Sequence, residues 1–260
     1  MPLSPSALID RLLVSAPETG KTDWIGQWTY AHRGLHGQGV PENSLAAARG
    51  AIAAGLGIEC DVQRASNGTA MVFHDWDLKR LLDVEGETER FTTDELKALT
   101  YPGSEEHPAS LPDLLDLIAS QVPLLIEIKS KRGYDVERTC AEVRDNLRSY
   151  KGLHAVMSFD PRVSRWFAMN SPDTTRGLVV TEEGTKGLWG NVRRHLALKH
   201  ARPDFLAYDI RDLPSSFAAS QRARGMPVAT WTVRSPELLE RARQHADAPI
   251  AEGDGIETRP

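Results

Sequence analysis

The sequence predicts a (β/α)8 barrel, the TIM-barrel fold, and three observations support this fold class. Short apolar segments alternate with amphipathic segments almost throughout the chain, as expected for parallel strands connected by helices. About eight such units can be distinguished, and a chain of 260 residues is a common length for one barrel of this kind. A doubly wound open sheet is the alternative, but no Gly-rich dinucleotide-binding or P-loop motif favours it.

The predicted strands are short apolar runs bounded by turn residues. They span residues 28–32, 57–63, 70–74, 123–129, 155–159, 177–181, 205–210, 227–233 and 255–258. The predicted helices have amphipathic patterns, and several begin or end with capping residues. They span residues 44–54, 93–99, 111–120, 136–150, a segment beginning at Pro161, 186–199, 215–224 and 236–245. Residues 75–110 are less regular, and we interpret them as a short insertion.

One further helix is predicted at residues 4–15. Because the sequence ends at Pro260, directly after the last predicted strand, we expect this N-terminal helix to take the position of the eighth barrel helix. No linker, low-complexity run or repeat divides the chain. A single domain covering residues 1–260 is therefore expected.

Composition and charge exclude several classes of protein. The net charge is −5 with both signs spread along the chain, which argues against general nucleic-acid binding, although a small phosphorylated substrate needs only local positive charge. The two cysteines, Cys60 and Cys140, match neither a disulfide framework nor a zinc site, and we expect reduced thiols. No signal peptide and no membrane span of about 18 apolar residues is recognisable. We expect a cytoplasmic protein, whose oligomeric state the sequence does not indicate.

Charged residues at the ends of two predicted strands form a candidate metal site. Side chains alternate along a strand, so Glu59 and Asp61 share one face, and Glu127 and Lys129 share another. Four charges pointing into a barrel mouth require a partner, and one cation held by the three carboxylates supplies it. Oxygen ligands favour Mg²⁺ or Ca²⁺ over zinc. The alternative is a layer of ion pairs in which Lys129 and Arg33 take the place of a metal.

Two histidines end predicted strands beside these charges. His32 and His74 are candidates for general acid and base because histidine titrates near neutral pH, although either one alone is equally consistent with a structural role. Arg33 and Lys129 are suited to binding phosphate.

Three further residues are candidates for contact with a substrate. Glu42 lies in a loop that leads into a helix and can reach the mouth of the barrel. Trp231 and Phe159 lie near strand ends, where they can border a substrate or belong to the core.

The chain resembles the glycerophosphodiester phosphodiesterase family through an ordered set of short motifs. The motifs are Ala31-His32-Arg33-Gly34, Pro41-Glu42-Asn43-Ser44, Glu59-Cys60-Asp61-Val62, Val72-Phe73-His74-Asp75, Ile126-Glu127-Ile128-Lys129, Ser158-Phe159, Trp231-Thr232-Val233 and Gly253-Asp254-Gly255-Ile256. Each motif is weak alone. Their order and spacing fit the family from residue 29 to the end of the sequence, which makes the set specific.

The resemblance implies a TIM barrel of the PLC-like phosphodiesterase type and one divalent cation, Mg²⁺ or Ca²⁺. It also implies hydrolysis of glycerophosphodiesters to glycerol 3-phosphate and an alcohol. By motif position, the metal ligands are Glu59, Asp61 and Glu127, the proton acceptor is His32, the proton donor is His74, the phosphate contacts are Arg33 and Lys129, and the residues bordering the glycerol or leaving group are Phe159 and Trp231. Residues 75–110 correspond to the variable insertion of the family.

The chain departs from the family pattern in its loops. Ser44 stands where the family usually has Thr, and Lys79-Arg80-Leu81-Leu82 stands where Asp-Arg-Thr-Thr is usual. None of the departures removes a proposed catalytic group, but the preferred head group stays open. Two other functions also stay open: a phospholipase D-like enzyme acting on lysophospholipids, and a non-catalytic barrel that binds glycerophosphodiesters.

Overall fold

The computed structural model describes residues 20–257 of the chain. The helix predicted at residues 4–15, with its expected place as the eighth barrel helix, lies outside the described residues. Two compact units are distinguished, one formed by residues 30–154 and the other by residues 20–29 and 155–257. Within the described range, no helix is both long and apolar enough to cross a lipid bilayer.

The unit formed by residues 30–154 contains three parallel strands. They are β1 (Tyr30–Ala31), β2 (Gly57–Arg64) and β5 (Leu124–Ile128), and β2 pairs with both of the others. Two short strands, β3 (Ala70–Val72) and β4 (Ala109–Ser110), add to the edge of this sheet. β3 pairs antiparallel with β2, and β4 pairs antiparallel with β3. The helices of this unit are α1 (Leu45–Ala53), α2 (Lys79–Leu82), α3 (Thr93–Lys97), α4 (Leu111–Ile118) and α5 (Val136–Leu147).

The prediction of parallel strands throughout was wrong for the segment at residues 70–74. β3 returns antiparallel to β2 because only a short turn separates them, and a parallel connection needs a crossover of a dozen or more residues. The predicted capping chemistry was correct. The Ser44 hydroxyl accepts a hydrogen bond from the backbone N–H of Ala47, and Thr92 and Glu95 form a reciprocal capping box.

The unit that contains residues 155–257 continues the alternation of parallel strands and helices. Its strands are β6 (His154–Ser158), β7 (Thr175–Val180), β8 (Phe205–Asp209), β9 (Val228–Val233) and β10 (Ala248–Ala251), paired in that order. Its helices are α6 (Pro161–Asn170), α7 (Leu188–Ala201), α8 (Ser216–Arg222) and α9 (Pro236–His245). The core here is formed by apolar side chains of strands and helices, among them Leu198, Leu206 and Phe217.

The last strand lies earlier in the chain than predicted. The strand predicted at residues 255–258 is replaced by β10, whose short Ala-Pro-Ile-Ala sequence carries little strand signal. Gly253–Gly255 instead forms a 3-10 turn, and a Cβ on Gly255 would overlap the backbone of Val233. This glycine therefore serves close packing of a turn against β9 rather than extension of a strand.

Gly177 is a position at which we expect a small substitution to destabilise the fold. It lies opposite Phe205 in the β7–β8 pairing, and a Cβ there would overlap the buried Phe205 ring. Gly177→Ala is expected to lower the free energy of unfolding by about 1–3 kcal/mol through overpacking. Urea unfolding followed by circular dichroism measures this loss. Gly37→Ala is the control, because a Cβ at Gly37 has nothing within 4 Å, and equal midpoints for the two variants would contradict the prediction.

Candidate functional site

Strands β2 and β5 bring three carboxylates together. Glu59 and Asp61 project from the same face of β2, and Asp61 is the register partner of Glu127 on β5. One oxygen from each of the three carboxylates lies within 4.8 Å of the others. Cys60, between the two acids, is a buried free thiol, as is Cys140. The local alternation of β2 is therefore what places two acids in the cluster and keeps the thiol out of it.

The three carboxylates differ in their electrostatic surroundings. Burial, reinforced by the Asp61 and Glu127 charges, raises the pKa of Glu59 well above its ordinary value. Burial also raises the pKa of Glu127, although Lys129 opposes it. Burial alone would raise the pKa of Asp61 too, but nearby positive groups, chiefly Lys129, and a hydrogen bond lower it to about 2. Asp61 is thus the acid on which the positive charge of the site converges.

Two cationic side chains contact the acidic cluster. Lys129 Nζ lies 3.0 Å from Glu127 Oε1 and 3.3 Å from Asp61 Oδ1. Arg33 Nε lies 3.2 Å from Asp61 Oδ2 but makes no hydrogen bond within the described chain, so this contact is ionic rather than directional. The backbone N–H of Arg33 donates to Glu59 Oε2 at 3.1 Å. Arg33 has a φ of +55°, and this left-handed backbone conformation lets one residue present both its N–H and its guanidinium to the cluster.

A chain of alternating charges connects the second histidine to Arg33. His74 Nδ1 lies 2.7 Å from Asp75 Oδ1, and Arg80 binds both oxygens of Asp75. Arg80 also donates to both oxygens of Glu42, at 2.7 and 3.0 Å, and Glu42 accepts a 2.7 Å hydrogen bond from Arg33. The pKa of Asp75 is lowered despite burial, because of Arg80 and His74. An ionised Asp75 can only accept, so His74 carries a proton on Nδ1.

The charges of the site match one bound divalent cation. The carboxylates in this network are Glu42, Glu59, Asp61, Asp75 and Glu127, and the cationic side chains are Arg33, Arg80 and Lys129. If all five acids were ionised and His74 neutral, the network would carry an excess of two negative charges, and burial together with this excess is reflected in the raised pKa of Glu59 and of Glu127. Among residues 20–257, the carboxylate of Glu59 forms no ion pair and accepts only from the Arg33 backbone. A layer of ion pairs alone therefore leaves a buried carboxylate unmatched, whereas a divalent cation fits the donor set.

A second acidic group in the same network is less suited to a metal. Oxygen and nitrogen atoms of Glu42, His74 and Asp75 also lie within 4.8 Å of one another. The Arg80 guanidinium already binds both of these carboxylates. The cluster of Glu59, Asp61 and Glu127 is the better candidate.

The remaining residues that the sequence singled out lie at strand ends. His32 is buried and directly follows β1, next to Arg33. In the other unit, the rings of Phe159 and Trp231 meet edge to face with centroids 5.4 Å apart. Trp231 Nε1 donates to the carbonyl oxygen of Ala207 at 2.9 Å, while Phe159 is 46% exposed. The orientation of Trp231 is therefore set by β8, and contact of either ring with a substrate stays a prediction.

Sequence reasoning missed three residues of the network. Asn43 was named only as part of a family motif, yet its Nδ2 donates to Asp61 Oδ2 at 3.0 Å and its Oδ1 accepts from the Asp61 N–H. Asp75 was not assigned a role, although its position next to His74 was a usable signal. Arg80 was noted only as part of a departure from the family pattern. Its partner Glu42 lies 38 residues away, so no local pattern could reveal the contact.

Arg80 is expected to position His74 and Arg33 rather than to contact substrate. We expect Arg80→Met to lower kcat by up to about 100-fold, because small displacements of reacting groups carry costs of that size. The change should also alter the pH profile of kcat/KM, since Asp75 loses its cationic partner. Lys79→Met is the matched control, because Lys79 pairs only with exposed acids, Asp83 and Glu85. Wild-type kinetics in Arg80→Met would rule out the positioning role.

Comparison with known proteins agrees with the fold. Within residues 20–257, eight parallel strands alternate with helices, as in a (β/α)8 barrel, and the acidic cluster on β2 and β5 is a candidate metal centre. The model of the glycerophosphoryl diester phosphodiesterase family matches residues 32–251. The chain therefore belongs to this family, and the predicted fold class is confirmed.

Individual relatives support the same assignment. A glycerophosphodiester phosphodiesterase from Caldanaerobacter subterraneus subsp. tengcongensis is 43% identical over 225 residues, covering 81% of this chain and 87% of the relative. Two other curated relatives are matched over only about half of their length, 48% and 45%. A solved phosphodiesterase from Oleispira antarctica, in complex with the product sn-glycerol-3-phosphate, is 25% identical with a TM-score of 0.75, covering 86% of this chain and 92% of that one. The glycerophosphodiester phosphodiesterase from Thermotoga maritima is 26% identical with a TM-score of 0.70, covering 86% and 93%.

Proposed function

We propose that this protein hydrolyses glycerophosphodiesters to glycerol 3-phosphate and an alcohol, with the help of one divalent cation. The observation that carries the proposal is the cluster of Glu59, Asp61 and Glu127, with oxygens within 4.8 Å of one another, beside Lys129 and Arg33. This combination suits an anionic phosphodiester and a metal in the same site. The family, and the product bound to the Oleispira antarctica phosphodiesterase, support the same reaction.

The carboxylates of Glu59, Asp61 and Glu127 would hold the cation, Mg²⁺ or Ca²⁺ according to their oxygen-only donor set. When bound, such a cation supplies Lewis-acid polarisation of a phosphoryl oxygen. Arg33 and Lys129 pair with the carboxylates in the free protein, and they would turn to non-bridging phosphate oxygens of the substrate.

The two histidines move the protons of the reaction in this proposal. His32 accepts the proton of the attacking hydroxyl, and His74 Nε2 donates a proton to the leaving alcohol. Asp75 holds His74 through Nδ1 and favours its charged form. In the free protein, burial lowers the pKa of His74, and the positive charges of Lys129 and Arg33 lower it further. Asp61 and Asp75 act in the opposite direction but do not offset this decrease. A bound phosphodiester adds negative charge beside the ring, which favours the imidazolium that proton donation requires.

Three further substrate contacts were predicted from the sequence. Phe159 and Trp231 would border the glycerol or leaving group. Glu42, proposed from the sequence as a substrate contact, binds Arg33 and Arg80, and its role in this proposal is to orient Arg33 toward the phosphate.

The attacking group defines two routes. Water can attack phosphorus directly, or the glycerol 2-hydroxyl can attack first and form a cyclic phosphate that water then opens. Cyclic glycerol phosphate in a quenched reaction would identify the second route. Incorporation of oxygen-18 from water in the first step would identify direct attack.

The deciding experiment measures glycerol 3-phosphate release from glycerophosphocholine, glycerophosphoethanolamine and glycerophosphoglycerol. Each reaction is run with Mg²⁺, Ca²⁺, Mn²⁺ or EDTA. We expect release that requires a cation and is abolished by EDTA, because three carboxylates converge within 4.8 Å in the proposed metal site. Release that persists in EDTA after exhaustive dialysis would refute the metal site. If none of the three substrates releases glycerol 3-phosphate, the proposed reaction is refuted.

The two alternative functions predict different outcomes of the same experiment. A lysophospholipid hydrolase would act on micellar lipid but not on soluble diesters. The insertion offers it little apolar surface, because Leu82 is buried and Phe91 packs on a core cluster with Leu96 and Tyr101. A non-catalytic binding barrel would bind glycerophosphodiesters without turning them over in any metal.

A further inference from the structure

Helix α7 carries a stripe of apolar side chains that the protein leaves exposed. Leu188 is 76% exposed, Trp189 80%, Leu196 60% and Val192 39%. Residues four apart in a helix lie on the same side, so Leu188, Val192 and Leu196 form one line, and Trp189 widens its beginning. The opposite side of the helix is buried through Leu198 and Ala201. The exposed side is therefore a defined surface of a well-packed helix, which we term the α7 face.

Positive charge surrounds the α7 face. Although the chain has 36 acidic residues and a net charge of −5, neither Pro161–Asn170 (α6) nor Leu188–Ala201 (α7) contains an Asp or Glu. Arg193 and Lys199 are exposed on α7. A groove of about 670 Å³ between the two helices is lined by Arg165, Lys199, His200 and Arg202 beside Leu196. Apolar and basic groups thus lie on the same side of a protein whose overall charge is negative.

We propose that the α7 face docks the protein onto an anionic lipid surface. Helices with Trp and Leu on one face and Arg and Lys at its borders lie in the membrane interface, with apolar side chains inserted and basic ones at lipid phosphates. Trp189 suits this place because indole combines a large apolar ring with one polar N–H. The inference depends on this surface and not on the reaction proposed above.

A second copy of the chain fits the same face poorly. A twofold symmetric dimer presents the same patch from both partners, so it would bring Arg193, Lys199 and Arg202 of the two copies close together with no carboxylate from α6 or α7 between them. Anionic lipid offers complementary charge to every one of these groups. The charge pattern therefore favours a lipid surface over self-association.

Co-sedimentation with vesicles tests the proposal. We expect the full chain to sediment with vesicles of phosphatidylcholine and phosphatidylglycerol, to release in high salt, and to stay in solution with phosphatidylcholine alone. The double variant Leu188→Gln/Trp189→Gln and the double variant Arg193→Glu/Lys199→Glu should each bind about tenfold or more weakly. Leu153→Gln and Lys151→Glu, which alter an exposed leucine and an exposed lysine that are not part of α7, are the matched controls and should bind as wild type.

Insertion of the apolar stripe has its own measurement. Cys60 and Cys140 are buried, so an environment-sensitive dye can be attached selectively to Val192→Cys. Its emission should shift to the blue on anionic vesicles, while the same dye on Lys151→Cys should not respond. Circular dichroism and turnover of a soluble diester confirm that the variants are folded. The proposal is overturned if wild type stays in solution with anionic vesicles, if the Leu188/Trp189 variant binds like wild type, or if the face proves to hold a dimer in sedimentation velocity.

Discussion

Asp61→Asn is expected to abolish metal-supported turnover while the protein stays folded. Asp61 lies between the other two carboxylates and pairs with both Arg33 and Lys129. Its low pKa of about 2 keeps it charged throughout the range of enzyme assays. Loss of a metal ligand removes several kcal/mol of transition-state stabilisation, which corresponds to roughly a thousandfold in rate. The fold should survive, because the substitution reduces the excess negative charge of the site.

The measurement pairs kinetics with metal binding. Titration of the apoprotein with Mn²⁺ in a calorimeter should show binding for wild type and strongly weakened binding for Asp61→Asn. Asp204→Asn is the matched control, because Asp204 is also a buried aspartate with two cationic partners, Lys21 at 2.8 Å and Arg176 at 3.3 Å, and none of these three residues belongs to the charged network of the candidate site. Normal turnover in Asp61→Asn would show that the metal site has been assigned to the wrong residues.

His74→Ala is expected to slow the reaction by about 10²–10⁴-fold on substrates with poor leaving groups. A choline or ethanolamine alcohol needs a proton as it departs, whereas nitrophenolate does not. The loss should therefore be much smaller for a nitrophenyl ester of glycerol phosphate. His154→Ala is the control, because His154 is also partly buried, but its partners, the Gly152 carbonyl and the Tyr150 ring, do not belong to the charged network that holds His74. Equal losses on both classes of ester would argue against His74 as the donor.

The pH profile gives His74 a second test. A general acid must be protonated, so the kcat/KM of wild type should fall as pH rises through the pKa of His74 in the free protein. Burial lowers that pKa below the ordinary histidine value of 6.5, which places the decline on the acid side of neutrality. The pH profile of His74→Ala should no longer show this decline. The profile of His154→Ala should still show it, although burial likewise lowers the pKa of His154.

Local signals account for what could be predicted from the sequence. The alternation of Glu59, Cys60 and Asp61 specifies which side chains share a face, because the period of a strand is two residues. The helix caps Ser44 and Thr92 each accept a hydrogen bond from a backbone N–H three residues further on. Because this contact is local, the beginnings of α1 and α3 could be predicted from the sequence. The triad of carboxylates followed from strand alternation plus the parallel order of β2 and β5.

Contacts between distant segments decided the rest. Arg80 reaches Glu42 across 38 residues, and Asn43 reaches Asp61 across 18, so neither belongs to a periodic pattern. The position of β10 depends on its pairing with β9, because its Ala-Pro-Ile-Ala sequence carries little strand signal of its own. The α7 face is likewise a tertiary property. The sequence shows apolar residues in a helix, and only packing determines that Leu198 turns inward while Leu188, Trp189 and Leu196 are left outside.

The sequence by itself determined the chemistry and the order of the elements, because these depend on residue type and short spacing. The tertiary structure decided which side chains contact and orient one another, because residues that are distant in the sequence come together only when the chain folds.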